Sequence, residues 1–355
     1  MIAAAEQGGG GNATASTMGR GGMGMGMGMA ADDARKALKK ANKLLSPSFT
    51  SLRFKADWDG ATPLFEQAAR GLERAGMRRE AQAAFERAAE GQRRLGSELH
   101  AVRHLESAAA CALKDARPQE AAALYRDGAD TYAAIGRGPS LGAQCLCRGA
   151  QRLADAGHPD QALAVLDAGV ELLEDADAIE GSQAGSAMLA AEDVFKQRGT
   201  LLADSGDLPG AARNALRHGA FCSALPGFDG GGRTAARCAL TAVALLLSAG
   251  EGPDAMHTLS DCCEDDQVAQ SSSARHAQAL VAAASENDMD AFARAVSGSG
   301  VLHDLDNKTG RRLKQLAASE ARFAALAESF PSQDARGVDA WHAGVAEEVD
   351  EDDLT

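Results

Sequence analysis

Six segments of this chain obey one rule. "LFEQAARG", "AFERAAEG", "HLESAAAC", "LYRDGADT", "CLCRGAQR" and "VLDAGVEL" each set a large residue three and four positions ahead of a pair of smaller ones. The large residues are Phe65, Phe85, Leu105, Tyr125, Leu146 and Leu166, spaced by 20, 20, 20, 21 and 20. Side chains three or four apart share one face of a helix, so the smaller pair leaves room for the bulky residue of a neighbouring helix. Each unit is therefore one helix and a short turn. The signals "RAGMRRE", "RLGSE", "KDARPQE", "AIGRGPS" and "DAGHPDQ" fall between the units, where turns are required.

Two units make a helical hairpin, so the structural repeat is about 40 residues, similar to a tetratricopeptide repeat with longer helices. Phe195 and Leu216 continue the pattern after the insertion "EDADAIEGSQAG". The fold expected is all-α: a right-handed, tetratricopeptide-like solenoid of antiparallel hairpins, about 14 helices in all, with a C-terminal helical bundle. Residues 1–31, with "GRGGMGMGMGMA", are too Gly-rich to offset their ordering entropy and read as a disordered extension. The solenoid is placed at 32–297, the bundle at 298–345 and an acidic tail at 346–355.

Composition narrows the partners. Aromatics are 4% of the residues, so the core must be built by close helix approach over small side chains. The formal net charge of −14 argues against a nucleic-acid backbone as partner. That charge is uneven. Residues 31–137 carry 19 Lys and Arg against 15 Asp and Glu, whereas 138–355 carry 16 against 34. A molecule so polarised can hold an acidic partner at one end and a basic one at the other. The start of the sequence lacks the pattern of a signal peptide, and no long apolar run follows, which points to a cytosolic protein without a membrane span.

Catalytic chemistry finds little support. His100 and His104 have the spacing of a zinc pair, but Ala101 stands where a metalloprotease needs Glu, and His104 adjoins the packing residue Leu105. The seven cysteines include no C-x-x-C pair and read as reduced structural thiols. "GFDGGGR" lacks the ending of a phosphate-binding loop and reads as a wide inter-helix loop. No metal, cofactor or small-molecule substrate is expected. The chain reads as a binding surface and not as an enzyme.

Two stretches suggest where binding occurs. "LLSPSFTSLRFKADWDGA" sets Phe49, Leu52 and Phe54 beside Arg53 and Lys55 in a loop between the first two helices, a mixture that can enter an anionic lipid interface. Trp58, next to the second helix, reads as packing. The chain ends "AEEVDEDDLT", with Leu354 one position from the end of an acidic run. Charge alone keeps such a tail soluble, so the leucine requires another explanation.

"ADWDGATPLFEQAARG", "HLESAAA", "PQEAAALYRDGADTYAAIGR", "LPGFDG" and the "DEDDLT" end, taken in order, resemble the soluble NSF attachment proteins, most closely their gamma branch. These are adaptors for the hexameric fusion ATPase that takes SNARE complexes apart. The resemblance implies partners: a SNARE complex, an NSF-type hexameric AAA ATPase, and a membrane surface touched weakly and peripherally. It implies a cytoplasmic protein associated with vesicles and endomembranes. It also implies site residues: Glu351, Asp352, Asp353 and Leu354 for the ATPase, Phe49, Leu52 and Phe54 for the membrane, and Arg137 for the SNARE bundle. The loop is less apolar than the family's usual tip. The alternative is a generic helical-repeat scaffold in another trafficking complex, its tail serving only solubility.

Overall fold

The computed structural model describes residues 20–46, 55–133, 135, 138–175, 184–225 and 230–331. All regular structure among them is α-helical. The chain opens with α1 (Arg20–Leu45), α2 (Trp58–Arg74), α3 (Arg78–Arg94), α4 (Glu98–Lys114) and α5 (Pro118–Ala133). There follow α6 (Gly138–Asp155), α7 (Pro159–Glu174), α8 (Ala184–Asp204), α9 (Leu208–Ala224), α10 (Gly231–Ala249) and α11 (Gly252–Cys262). The last are α12 (Asp266–Ala269), α13 (Ser272–Ser285), α14 (Met289–Ser297), α15 (Ser299–Asp304), α16 (Asn307–Ala317) and α17 (Glu320–Ser329). The described helices thus number 17, against the 14 or so expected, because short pieces such as α12 and α15 leave almost no periodic signal.

Two compact units result. The first comprises residues 1–138 and 152–161, the second 139–151 and 162–355. This division differs from the one expected near residue 298.

In the first unit, α1 packs on α2, α2 on α3, α3 on α4 and α4 on α5. The expected register holds: Phe65, Phe85, Leu105 and Tyr125 are all buried, and so are the pairs Ala68–Ala69, Ala88–Ala89 and Ala108–Ala109. How close the helices come is shown by Gly91, where an added Cβ would lie 2.1 Å from Thr62 Oγ1. Thr62 is itself buried and stiff, so only glycine fits there.

The turns repeat with the helices. After α2, Gly76 adopts φ +77° and Met77 N–H donates back to Leu72 O. Gly96 does the same after α3, at φ +70°, with Ser97 N–H reaching Gln92 O. This is the Schellman closure, which satisfies the last carbonyls of a helix and needs one left-handed residue. After α4 that residue is Ala116, at φ 55°.

The second unit carries the pattern on with Leu146, Leu166 and Phe195 buried, while Leu216 is only half-buried. Its main core joins Leu240 and Leu247 of α10 to Leu280, Phe292, Leu313 and Phe323. The helices beyond residue 298 therefore share a core with α10 instead of forming a bundle of their own. Lys308 Nζ on Asp204 at 2.7 Å and Arg312 on the Ala203 carbonyl at 2.8 Å fasten α16 to the end of α8.

Two local expectations need correction. Residues 20–31, read as disordered, are the start of α1. Ala31, Ala34, Ala37 and Ala41 are buried, and once that turn is nucleated each added residue gains a hydrogen bond for little further cost. Residues 231–233 of "GFDGGGR", read as loop, form the first turn of α10. A Cβ at Gly231 would stand 2.6 Å from the Cys222 carbonyl, so glycine here permits close helix approach. The insertion residues 176–183 and loop residues 226–229 lie outside the described residues.

Phe85→Ala should cost about 3–5 kcal/mol in a denaturant melt, the usual loss for a ring removed from a packed core. A loss under about 1 kcal/mol would break the register. Ala116→Gly should raise stability by about 0.5–1 kcal/mol, because it relieves a left-handed alanine. Calorimetry checks it as an upward shift of Tm.

Candidate interaction surfaces

Every residue expected to bind a partner lies outside the described residues: Phe49, Leu52 and Phe54, Arg137, and Glu351, Asp352, Asp353 and Leu354. The surfaces from which those segments depart are described.

The connection between α1 and α2 is pinched at its base, where Asp57 N–H donates to the Leu44 carbonyl at 3.1 Å. Asp57 also caps α2 by accepting from Gly60 N–H at 2.9 Å. Trp58 follows, half-buried as its packing role requires, with the Arg87 and Arg94 guanidiniums each 5.2 Å from its ring. Glu90 pairs with both arginines and holds them there.

The last described residues are equally well fixed. Phe330 is buried in the main core of the second unit, and Ser329 Oγ accepts from Gly252 N–H at 3.2 Å at the start of α11.

The basic balance of residues 31–137 is less available than the count of charges suggests. Arg35 grips Glu80 with two hydrogen bonds of 3.1 and 2.9 Å, and that pair holds the guanidinium charged and the Glu80 carboxyl below the usual range. Lys114 reaches Glu73 at 2.8 Å, Arg93 reaches Asp127, and Arg79 and Arg117 share Asp115. The pairs Arg35–Glu80, Lys114–Glu73 and Arg93–Asp127 join helices two apart in the series. Lys39, Lys40 and Lys43 on α1, with Arg74 and Arg103, make no ion pair among the described residues.

Two concave sites stand out. The first unit has a groove of ≈ 610 Å³ whose walls include Arg70, Arg74, Arg103, Glu66 and Glu73, with Phe85 and His104 beneath. His104 is buried and stacked on Phe85, ring centroids 6.2 Å apart. Burial lowers its pKa, Glu66 at 4.0 Å opposes that, and the ring is a packing element. His100 bonds Ser97 Oγ at 2.9 Å instead of turning toward His104. The second unit holds a cavity of ≈ 590 Å³ whose lining includes Glu192, Lys196, His218, Arg237 and Asp306. His218 stacks on Phe195 at 5.0 Å, and burial holds its imidazole below the usual range. In this second cavity the Cys238 thiol lies 3.5 Å from His218 Nδ1, but burial pushes the thiol up to about 12 and holds the imidazole low, so both groups stay neutral.

The thiols point the same way. Cys111, Cys145, Cys147, Cys222 and Cys238 are buried and Cys262 and Cys263 half-buried. Burial pushes Cys111, Cys222 and Cys262 up to about 11 and Cys147 and Cys238 up to about 12, so the nucleophilic thiolate is suppressed at neutral pH.

Residues 31–205 match the family described as soluble NSF attachment protein, SNAP. Over that stretch the chain is similar to the soluble NSF attachment proteins. It is also 29% identical over 327 residues to the gamma-soluble NSF attachment protein of Arabidopsis thaliana, a match that takes in 92% of this chain and 100% of that one. The family match begins at Ala31, a buried alanine of α1, and runs to the turn after α8. It therefore spans the helices in which large residues pack over small pairs. Among the described residues, no helix is long and apolar enough to cross a membrane.

Alkylation with iodoacetamide at pH 8 should leave the five buried thiols largely unmodified in the native protein and modify all seven in denaturant. Fast native labelling of Cys238 would contradict its burial.

Proposed function

We propose that this chain is a gamma-type attachment protein, a non-catalytic adaptor that binds assembled SNARE complexes and recruits and stimulates the hexameric NSF ATPase to take them apart. The observation that carries this reading is the collinear similarity to the Arabidopsis protein over that protein's whole length. The packed repeat supports it, because stacked hairpins present a long, rigid surface and build no chemistry of their own. The free cations of α1 and of the groove in the first unit, with Arg137, supply contacts for an acidic helical bundle. Phe49, Leu52 and Phe54 supply the weak peripheral contact with endomembranes, and the protein works on their cytoplasmic side.

The tail acts on the ATPase. Glu351, Asp352 and Asp353 attract a basic surface and speed encounter, but exposed charge gives loosely oriented complexes. Leu354 adds a short-range anchor worth roughly 1.5 to 3 kcal/mol when a pocket buries it. The leucine thereby fixes where an otherwise searching tail stops.

The test is retention of the ATPase on a SNARE-loaded column, with and without this protein, followed by ATP hydrolysis and disassembly assays. Retention that depends on the protein supports the adaptor reading, and retention indifferent to it overturns that reading. Leu354→Ala should lose most stimulation while keeping much of the binding. Full stimulation by this variant at saturating concentration would make the leucine incidental.

A further inference from the structure

The cavity of the second unit is a trough. Helix α9 packs on both α8 and α10, and all three line it. On α8 the lining includes Met188, Glu192, Phe195, Gly199 and Ala203, whose spacing of three and four keeps them on one helical face. That face is about 22 Å long at the α-helical rise. The start of α16, fastened to the end of α8 through Lys308 and Arg312, lines one end. Buried Phe195, Ala211, Leu245 and Leu305 make the bottom apolar, while exposed Glu192, Lys196 and Arg237 stand on the rim, so the trough opens to solvent.

Several charges around it are already engaged. Lys308 and Arg312 face Asp204, Asp306 caps α16 by accepting from the Lys308 and Thr309 N–H groups, and Asp304 accepts from Ser273 Oγ at 2.8 Å. Lys196 on the α8 wall, Arg237 on the α10 wall and Glu192 make no ion pair among the described residues. The unengaged rim therefore offers a cation on each wall and one acid.

The sequence after the last described residue holds a matching pattern. Val338, Trp341, Val345 and Val349 are three, four and four apart, the spacing of one helical face, and at that spacing Asp339 and Glu348 fall on opposite sides of the stripe. Residues 338–349 include Gly344, and so short a segment is a marginal helix in water by itself. Its apolar stripe needs a surface to cover it.

We propose that residues 338–349 of this chain seat in the trough, with Val338, Trp341, Val345 and Val349 against its apolar bottom and the flanking acids toward Lys196 and Arg237. Length fits, since as a helix the segment spans about 16 Å against the 22 Å face. Reach fits as well. Phe330 shares a core with Leu245 and lies against Gly252, where an added Cβ would stand 2.6 Å from its ring. From Phe330 to Val338 the chain extends up to about 26 Å, which exceeds the roughly 10–12 Å width of α10 that separates root from trough. The tether then supplies a high effective concentration, so a short stripe and a rim of mixed charge suffice, which a free partner could not rely on. Apolar burial contributes most of the affinity, and the cations set orientation. Seating leaves residues 350–355 as the part of the tail that searches.

Trp341 reports on the seat. In the full chain carrying Trp58→Phe it is the only tryptophan, and acrylamide should quench it severalfold less than in denaturant. Filling the trough with Ala215→Phe should raise quenching toward the denatured value. Reversing the rim with Lys196→Glu and Arg237→Glu should raise it in part, and this variant alters only exposed side chains, so its melting curve should stay cooperative. As a second measurement, a fluorescein-labelled peptide of residues 334–352 should bind the full chain carrying Trp341→Ser and Val345→Ser on the order of tenfold more tightly than the parent, whose own segment competes. A Trp341 quenched in the parent as readily as in denaturant overturns the proposal. Protection that survives both trough variants places the segment elsewhere, and protection lost on dilution makes the occupant a second copy; either result overturns it too. Equal peptide binding by the parent and by the Trp341→Ser, Val345→Ser variant makes the trough a seat for another protein's segment, which again overturns it. No readout uses a SNARE complex or the ATPase, so the seat and the adaptor reading fail separately.

Discussion

A large residue seated over a neighbour's small pair is the contact on which this molecule depends. Phe65, Phe85 and Leu105 are buried because Ala68–Ala69, Ala88–Ala89 and Ala108–Ala109 let helix axes come close. Alanine favours the helix and loses no side-chain entropy on burial, so the chain builds a core with few aromatics. The same closeness makes the packing intolerant. Gly91 against Thr62 and Gly231 against the Cys222 carbonyl leave no space for a methyl group. Such a repeat is specified by steric fit between neighbours as much as by hydrophobic area.

Once neighbouring helices are fixed, the polar pairs follow. Arg35–Glu80, Lys114–Glu73, Arg93–Asp127 and Arg217–Glu174 join residues 45, 41, 34 and 43 apart, close to one hairpin period. These pairs are partly exposed, and each contributes little stability once solvent screening is counted. Their effect falls on recognition instead. They neutralise cations that a bare count of charge would assign to a partner, and they concentrate the free positive charge on α1 and around Arg74 and Arg103. The cationic surface left for a partner is therefore smaller and better defined than the composition suggests.

What the sequence made legible follows from which forces have a period. The packing register has one, so the burial of Phe85 and Tyr125 could be read from spacing. The turn after α4 was equally readable as a turn, but not the strain at Ala116, since alanine carries no signal of φ 55°. The start of α1 was missed because a Gly–Met alternation has no amphipathic pattern, and the first turn of α10 because glycine marks close approach and loops alike. The shared core of α10 with α13, α14, α16 and α17 joins residues too distant in sequence for any local pattern to reveal. Every expected binding residue falls in segments outside the described residues, and those readings stand on the resemblance to the family.

The described residues that border those segments are nevertheless firmly held. The Asp57–Leu44 hydrogen bond closes the base of the α1–α2 connection, and Arg87 and Arg94 brace Trp58 beside it. Phe330 is packed in the core of the second unit and Ser329 is tied to Gly252. Ordering a segment on binding costs conformational entropy for each residue ordered. Residues that packing and hydrogen bonds already fix, such as Trp58 and Phe330, are spared that cost when a partner is bound.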